Sequence, residues 1–161
     1  MSQIIVGIGE YAVSNKPGDI LKTIALGSCV AVICISLKRK AAGILHLSLP
    51  DHNINEDLYK SRPGSFADTG IPLLFNEMRK LGCLIPNDLI IKLAGGANVL
   101  NQDYNFDIGK KNLLATRKIL WEHKLGAIGE DVGGSISRNV TIDVETGKVV
   151  ISNSLLGKWE I

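Results

Sequence analysis

The spacing of apolar residues along the chain predicts a fold made mainly of short β-strands. Residues 30–37 form a nearly continuous run rich in Val and Ile, which is the pattern of a strand buried on both faces. Residues 41–49 are apolar enough to return antiparallel to that run, and Pro50 ends them. The remaining apolar segments that predict strands cover residues 4–8, 11–14, 23–26, 88–94, 127–132, 139–144 and 148–152.

One apolar face with three- and four-residue spacing predicts a first helix. Asp68 or Thr69 is its predicted N-cap, because a short polar side chain can accept from the first free N–H groups. Pro72 suits the first turn and Gly82 suits the C-terminal stop. The polar stretch before this helix, residues 53–65, is predicted to be a loop. The apolar face consists of Ile71, Leu74, Phe75, Met78 and Leu81.

A second helix is predicted over residues 108–124, with Asp107 as its N-cap and Gly126 closing it. Residues 145–148 predict a hairpin turn in which Gly147 adopts a positive φ. Because strands outnumber helices, we expect an α+β fold with mixed β-sheets, helices packed outside, and one domain over residues 1–161. Two pairs of residues seven apart predict the buried stripe of the second helix: Leu113 with Leu120, and Leu114 with Trp121.

Composition is that of an ordinary globular domain, with 161 residues, 45% of them hydrophobic, enough for one sizeable core. The net charge of +2 is too small to indicate nucleic-acid binding, and Lys38-Arg39-Lys40 is predicted to be a solvated hairpin tip. The N-terminal segment lacks the order of a signal peptide. The longest uncharged stretch, residues 23–37, is shorter than the ~20 residues of a membrane-spanning helix. We therefore expect a cytoplasmic chain that does not insert into a membrane.

The cysteine content predicts free thiols. Cys29, Cys34 and Cys83 are odd in number and lack C-x-x-C spacing, which argues against a disulfide framework or a zinc site. Reduced thiols fit a cytosolic compartment. Cys34 lies inside the apolar run and is interpreted as a packing residue, and Cys83 carries no chemical marker. Neither a metal nor an organic cofactor is predicted.

Two glycine-rich stretches are weak motifs for nucleotide binding. The stretch from Gly7 to Glu10 lacks the third glycine of a dinucleotide fingerprint, and no helix pattern follows it. The stretch Gly95-Gly96-Ala97-Asn98 follows a predicted strand, but no Lys-Ser or Lys-Thr pair follows to make a P-loop. Its general interpretation is a tight turn.

The most informative segment is the turn around Cys29, where Gly27-Ser28 leads into the buried run. A tight turn can expose the thiol while its backbone N–H groups, those of Ser28 and Cys29, point at a developing oxyanion. A thiol needs a neighbouring base, and His46 follows Cys29 by 17 residues on the returning strand. A hairpin closed near Lys38 brings both residues to one end of the strand pair, if the register allows it.

Structural interpretations of the same residues remain open. A cysteine beside a buried strand is usually a small core residue, and a lone histidine is often only hydrogen-bonded structure. Thr23 is the best candidate to orient His46 by accepting from its second ring nitrogen, yet it also fits an ordinary strand position. His52 is either an exposed residue or one that contacts substrate. His123, near a helix C-terminus, is interpreted as structural.

Eight segments, which span nearly the whole chain, resemble the CheD family of chemoreceptor glutamine deamidases from bacterial and archaeal chemotaxis. Several specific segments in the expected order are a stronger indication than any single glycine motif. In chain order they are GIGEY at 7–11, LGSCV at 26–30, HLSLP at 46–50, DTGIPLL at 68–74, KLAGGAN at 92–98, IG at 108–109, EDVGG at 130–134 and ETGKV at 145–149.

This resemblance implies roles and partners. Cys29 matches the nucleophile, His46 the general base and Thr23 the third catalytic position. The implied fold is similar to the catalytic domain of cytotoxic necrotizing factor toxins, a layered α/β/β/α arrangement. The implied substrates are glutamines on the cytoplasmic helices of methyl-accepting chemoreceptors, which become glutamates. The implied partner is a CheC-type phosphatase of phosphorylated CheY, and weak methylesterase activity is a secondary possibility.

Two other functions remain as alternatives. The chain could keep the fold and act as a non-catalytic adaptation module that docks on the phosphatase or the receptor and stimulates the phosphatase. It could instead be a cysteine protease or a transglutaminase-like enzyme, because these also use a thiol and an imidazole. Neither the receptor glutamines nor the oligomeric state follows from the sequence.

Overall fold

The computed structural model describes residues 2–100, 103 and 106–161, and shows two five-stranded sheets. Sheet A has the strand order β1-β3-β8-β9-β10, and sheet B has the order β2-β5-β4-β6-β7. Each sheet is mixed, because β1 is parallel to β3 and β6 is parallel to β7. The strands are β1 (Gln3–Ile5), β2 (Tyr11–Ser14), β3 (Ile20–Leu26), β4 (Val30–Ser36), β5 (Ala41–Leu47), β6 (Ile90–Gly95), β7 (Ala127–Val132), β8 (Arg138–Asp143), β9 (Val149–Asn153) and β10 (Gly157–Glu160).

Within the described residues, three α-helices accompany the sheets: α1 (Glu56–Ser61), α2 (Ala67–Lys80) and α3 (Ile108–Glu122). Two 3₁₀ turns, His52–Ile54 and Pro63–Ser65, flank α1. None of the helices in the described ranges is long and apolar enough to cross a membrane.

The core has two layers, one on each face of sheet B. One cluster joins α2 and α3 to the face of sheet B that carries Val30 and Val32, and the other joins the opposite face, through Ala31 and Ile33, to sheet A. All seven residues of β4 and all seven of β5 are therefore buried. Each fully buried aliphatic side chain contributes about 1.5–3 kcal/mol of transfer free energy, so this double burial explains the continuous apolar runs.

The α+β class and the mixed sheets are confirmed, but the predicted layering needs correction. Both long helices of the described chain pack on the same face of sheet B, and the cluster between the sheets contains strand and loop residues only. The described layers are thus helix, sheet, sheet, where α/β/β/α was predicted. The predicted layering was implied by the family resemblance, and the hydrophobic periodicity of the helices does not indicate which sheet each helix covers.

Several local predictions are confirmed. Asp107 caps α3 by accepting from the Lys110 N–H at 3.0 Å. Gly147 adopts φ +74° in the turn between β8 and β9, and Gly82 adopts φ +90° just beyond α2. The hairpin of β4 and β5 is antiparallel, and its basic tip at residues 38–40 is exposed.

Other local predictions were wrong. Helix α2 begins one residue before Asp68, with the buried Phe66 as N-cap, and Pro72 lies inside it. The predicted loop over residues 53–65 contains α1, which Asn55 caps by accepting from the Leu58 N–H.

The stripe predicted for α3 is half wrong. Leu113 and Leu120 are buried, whereas Leu114 is 51% exposed and Trp121 is 81% exposed. Gly126 does not close this helix, because Lys124 takes the positive φ of +60° after the cap residue His123. A seven-residue spacing predicts that two residues share a helix face, but not which face is buried.

Candidate active site

Cys29 is the accessible thiol of the three. It lies one residue before β4, in the turn that connects β3 to β4, and it is partly exposed, whereas Cys34 and Cys83 are buried. Its side chain packs against the cluster between the two sheets. Burial raises the pKa of the Cys29 thiol, and its own backbone N–H opposes this with a weaker effect. At neutral pH the resting residue is therefore a thiol that needs a base.

His46 lies on β5, on the same side of sheet B as Cys29. The register pairs His46 with Ala31, and Cys29 precedes Ala31 by two residues, so all three side chains point to the space between the sheets. The backbone of His46 is fixed by the N-terminal segment, since its N–H donates to the Glu10 carbonyl and its carbonyl accepts from the Gly9 N–H. The His46 side chain is almost fully buried.

Thr23 reaches His46 across the gap between the sheets. The Thr23 Oγ1 lies 2.7 Å from the His46 Nδ1, and it also donates to the Val6 carbonyl at 2.7 Å. A hydroxyl has one proton, and a carbonyl can only accept, so Thr23 gives its proton to Val6 and accepts from Nδ1–H. This assigns His46 to the tautomer with the proton on Nδ1. Its Nε2 then carries a free lone pair, which is the form a general base requires.

The Nε2 of His46 is buried and has no hydrogen-bond partner within residues 2–100, 103 and 106–161. Burial lowers the pKa of His46 to about 4, and the negative charge of Glu10 opposes this only weakly. The imidazole is therefore neutral at physiological pH. Geometry and electrostatics together give a neutral base that faces the same space as a neutral thiol.

The backbone N–H groups of Ser28 and Cys29, the predicted oxyanion donors, lie in the turn between β3 and β4. No carbonyl or side-chain oxygen of the described residues accepts from either group. The β3 strand bends just before them, because Ala25 adopts φ +59° at a register shift between Thr23 and Leu26. The bulge lets β3 deliver Thr23 to His46 and still turn back toward β4.

The Gly95-Gly96 stretch, predicted only as a tight turn, holds the Cys29 turn in place. The Gly96 N–H donates to the Cys29 carbonyl at 2.7 Å, and the Ala97 N–H donates to the Gly27 carbonyl at 2.8 Å. A Cβ atom on Gly95 would lie 2.2 Å from the Cys29 carbonyl oxygen, so only glycine permits this approach. The Cys29 turn and the glycine stretch are far apart in the chain, so no local sequence pattern predicts the contact between them.

A cleft of about 210 Å³ opens beside this turn. Gly27 and Ser28 form one wall, and apolar side chains that include Val99 and Phe106 form part of the rest. This volume is below the range of about 300–1,000 Å³ that is typical of pockets for drug-sized ligands.

The other two histidines lie in different surroundings. The His52 Nδ1 bonds to Asp68 at 2.5 Å, and this contact raises the pKa of His52. Asp51, His52 and Asp68 form a partly exposed group whose oxygen and nitrogen atoms are of the kind that bind a cation. The Nδ1 of His52, however, is already hydrogen-bonded to Asp68. His123 bonds to the Ile119 carbonyl at the end of α3, which agrees with the structural role predicted for it.

Comparison with known proteins agrees with the predicted family. The family model described as CheD chemotactic sensory transduction matches residues 48–153. That range begins two residues after His46, so the match itself does not include Thr23, Cys29 or His46.

Relatives extend the similarity over the whole chain. The probable chemoreceptor glutamine deamidase CheD of Syntrophotalea carbinolica is 48% identical over 162 residues, which covers 100% of both proteins. The probable chemoreceptor glutamine deamidase CheD 1 of Syntrophus aciditrophicus is 45% identical over 96% of both. The chemoreceptor glutamine deamidase CheD of Thermotoga maritima is 37% identical over 91% of this chain and 89% of its own length. With a family model over most of the chain and relatives at these identities, the chain belongs to the CheD family.

Proposed function

We propose that this chain hydrolyses the side-chain amide of particular glutamines on chemoreceptors, with Cys29 as the nucleophile. The observation that carries the proposal is the Thr23–His46 contact, because it leaves the His46 Nε2 as a proton acceptor on the side of sheet B where Cys29 lies. The names of the relatives supply the reaction and the substrate class. We further propose that the chain acts in the cytoplasm, where the signalling helices of chemoreceptors lie.

In the first half of the reaction, the His46 Nε2 takes the proton of the Cys29 thiol as sulfur attacks the glutamine side-chain carbonyl carbon. The carbonyl oxygen becomes an oxyanion, and the free N–H groups of Ser28 and Cys29 donate to it. The imidazolium then gives its proton to the leaving nitrogen, the C–N bond breaks, and ammonia departs. The product of this half is a thioester between Cys29 and the substrate.

In the second half, water attacks the thioester and gives up a proton to the His46 Nε2. The same two N–H groups stabilise the second oxyanion. The C–S bond breaks, and the sulfur regains its proton from the imidazolium. The substrate leaves as glutamate, and both Cys29 and His46 return to their neutral resting forms. No step of this sequence calls for a metal or an organic cofactor.

Intact-mass spectrometry of a receptor fragment tests the proposal. A chemoreceptor cytoplasmic fragment with glutamines on its methylation helices is incubated with wild type, with Cys29→Ala and with Cys34→Ala. Wild type and Cys34→Ala should convert amide to acid, and Cys29→Ala should leave the fragment unchanged. Cleaved peptides, amine incorporation or loss of methyl groups would instead indicate a protease, a transglutaminase or a methylesterase. Equal conversion by wild type and Cys29→Ala would contradict the mechanism.

The docking partner implied by the family resemblance stays a prediction. We propose that a CheC-type phosphatase binds this chain and is stimulated by it. Stimulation of CheY-phosphate hydrolysis by Cys29→Ala, at the level of wild type, would show that docking is separable from deamidation. No stimulation by either protein would remove this partner from the account.

A further inference from the structure

Three successive carbonyl groups around the nucleophile are each held by a separate donor. The Gly27 carbonyl accepts from the Ala97 N–H at 2.8 Å, and the Cys29 carbonyl accepts from the Gly96 N–H at 2.7 Å. The carbonyl between them, that of Ser28, accepts from a side chain, the Asn112 Nδ2, at 2.9 Å. The glycine stretch and helix α3 together therefore fix the orientation of every peptide plane in the turn.

The orientation of the Ser28 carbonyl determines the direction of the Cys29 N–H. These two groups belong to one planar peptide unit, and in a trans peptide they point in opposite directions. The peptide bond between Ser28 and Cys29 is trans, because the cis peptide bond found in the described residues is that between Ile85 and Pro86. Because Asn112 holds the Ser28 carbonyl, the Cys29 N–H of the same peptide unit points in the opposite direction, away from the Asn112 amide.

Asn112 also holds the strand that carries the base. The same Nδ2 donates to the Ser48 carbonyl at 3.0 Å, two residues after His46. The identity of this atom follows from chemistry, because both partners are carbonyl oxygens and only the NH₂ group of the amide can donate to them. One fully buried side chain thus ties the end of β5 to the turn of the nucleophile.

Helix α3 is held close enough for this contact by Gly109, one turn before Asn112. A Cβ atom on Gly109 would lie 2.4 Å from the Ala97 carbonyl oxygen and 2.6 Å from the Gly96 backbone. The first turn of α3 therefore presses directly on the glycine stretch that holds Cys29. Since both the helix and the stretch are fixed, the position of the Asn112 amide is fixed as well.

We propose that Asn112 is a positioning residue for the reaction: it sets the Ser28–Cys29 peptide so that the Cys29 N–H donates to the oxyanion. This inference rests on the proposed deamidase function and adds to it a residue that acts through the backbone. Asn112 does not touch the reacting atoms. His46 is also held by Gly9, Glu10 and Thr23, so the expected effect of losing Asn112 lies in the steps in which an oxyanion forms.

Asn112→Asp tests this role with little change of shape. A carboxylate has no donor for the two carbonyl oxygens, and a buried neutral acid has one donor in place of two, so the hold on the Ser28–Cys29 peptide is lost or weakened. Loss of one oxyanion donor typically lowers kcat by about 10²–10³-fold, and we expect a misdirected donor to lower it by about 10–100-fold. KM for the receptor fragment should stay within about 2-fold of the wild-type value, because the backbone N–H groups of the turn bind the oxyanion only as it develops.

Alkylation of Cys29 by iodoacetamide separates this role from general damage to the site. Alkylation needs the thiolate but forms no oxyanion, because sulfur displaces iodide from a saturated carbon. We expect Asn112→Asp to retain the wild-type alkylation rate and its pH profile within about 2-fold, while kcat for deamidation falls by about 10–100-fold.

Thr116→Val is the matched control. Thr116 lies one turn further along α3, it is fully buried, and its hydroxyl has no partner in the described residues. This variant should keep both activities.

Four outcomes decide the proposal. Wild-type kcat in folded Asn112→Asp would overturn it, and so would a parallel loss of alkylation, since that would mean a displaced thiol. If Asn112→Asp fails to fold, Asn112→Ala is measured against the same two criteria, with folding checked by thermal unfolding. A wild-type protein that leaves the fragment unchanged would overturn the proposed function and this inference with it. A selective loss of kcat in the variant alone supports it.

Discussion

Two histidines that lie six residues apart in the sequence occupy opposite environments in the structure. His46 is buried between two sheets with a hydroxyl on its Nδ1, and its pKa is lowered to about 4. His52 is partly exposed with a carboxylate on its Nδ1, and its pKa is raised. A neutral hydroxyl orients the ring without stabilising the imidazolium, whereas a carboxylate favours the charged form. The first environment keeps the ring neutral, as the proposed base must be, and the second forms a partly exposed ion pair.

Replacing each histidine by glutamine should produce the largest difference in kcat between the two regions. His46→Gln removes the base, and loss of general acid–base catalysis lowers kcat by about 10²–10⁴-fold. His52→Gln removes a residue outside the proposed chemistry, so kcat should stay within about 2-fold of wild type. Initial rates of ammonia release from the receptor fragment measure both. Equal losses in the two variants would contradict the assignment of roles.

The two histidines should also affect stability with opposite dependence on pH. The folded pKa of His46 lies below the unfolded value of 6.5, so its contribution is complete above that value and is lost as pH falls toward 4. The full loss amounts to about 3 kcal/mol of unfolding free energy. His52 has a raised pKa, so its stabilising contribution is complete below 6.5 and is lost as pH rises through the folded value.

Denaturant unfolding of wild type, His46→Gln and His52→Gln from acidic to neutral pH measures these contributions as differences. His46→Gln should lose less stability than wild type on acidification. His52→Gln should lose less than wild type as pH rises. The same sign of difference for both variants would be inconsistent with the environments described above.

Removing the hydroxyl that orients the base should have a smaller effect on rate. Thr23→Val has nearly the same shape but leaves the Nδ1–H of His46 and the Val6 carbonyl without a partner. Unsatisfied buried groups cost about 1–3 kcal/mol each, and we expect kcat to fall by about 10-fold as the ring loses its preferred tautomer. Thr23→Ser keeps the hydroxyl and should recover most of the rate. If Thr23→Val is as active as Thr23→Ser, the hydroxyl has no role in orienting the ring.

The smallest expected effect concerns the surface ion pair. Asp68→Asn removes the negative charge beside His52, so the pKa of His52 should fall toward its ordinary value. The titration of the His52 ring by proton NMR measures this shift. The titration of His46 should be unaffected, because no contact joins the two histidines in the described residues. A coordinated shift of both rings would show a coupling that the structure does not contain.

Much of the fold followed from local patterns, because those features depend on neighbours in sequence. The capping side chain of Asp107, the positive φ of Gly147 and the antiparallel hairpin that carries Cys29 and His46 all belong to this kind. The exposure of Trp121 was not predicted, because seven-residue spacing does not indicate which face of a helix is buried.

The parts of the site that connect distant segments were less accessible. Thr23 was a candidate from the outset, but the direction of its proton depends on the Val6 carbonyl, which is 17 residues away in sequence. Nothing in the sequence indicated a role for Asn112, because its buried side-chain amide donates to a carbonyl 84 residues earlier in the chain. Contacts between separate sheets and helices are set by packing, and no periodicity in the sequence encodes them.

The protonation state of the His46 ring tests the central claim most directly. A long-range ¹H–¹⁵N NMR spectrum of uniformly labelled protein at neutral pH distinguishes the two neutral tautomers from the imidazolium, with His46→Gln to assign the signals. The account predicts a neutral ring with the proton on Nδ1 and an unprotonated Nε2. An imidazolium, or a proton on Nε2, would contradict it, because neither form can accept the proton of Cys29.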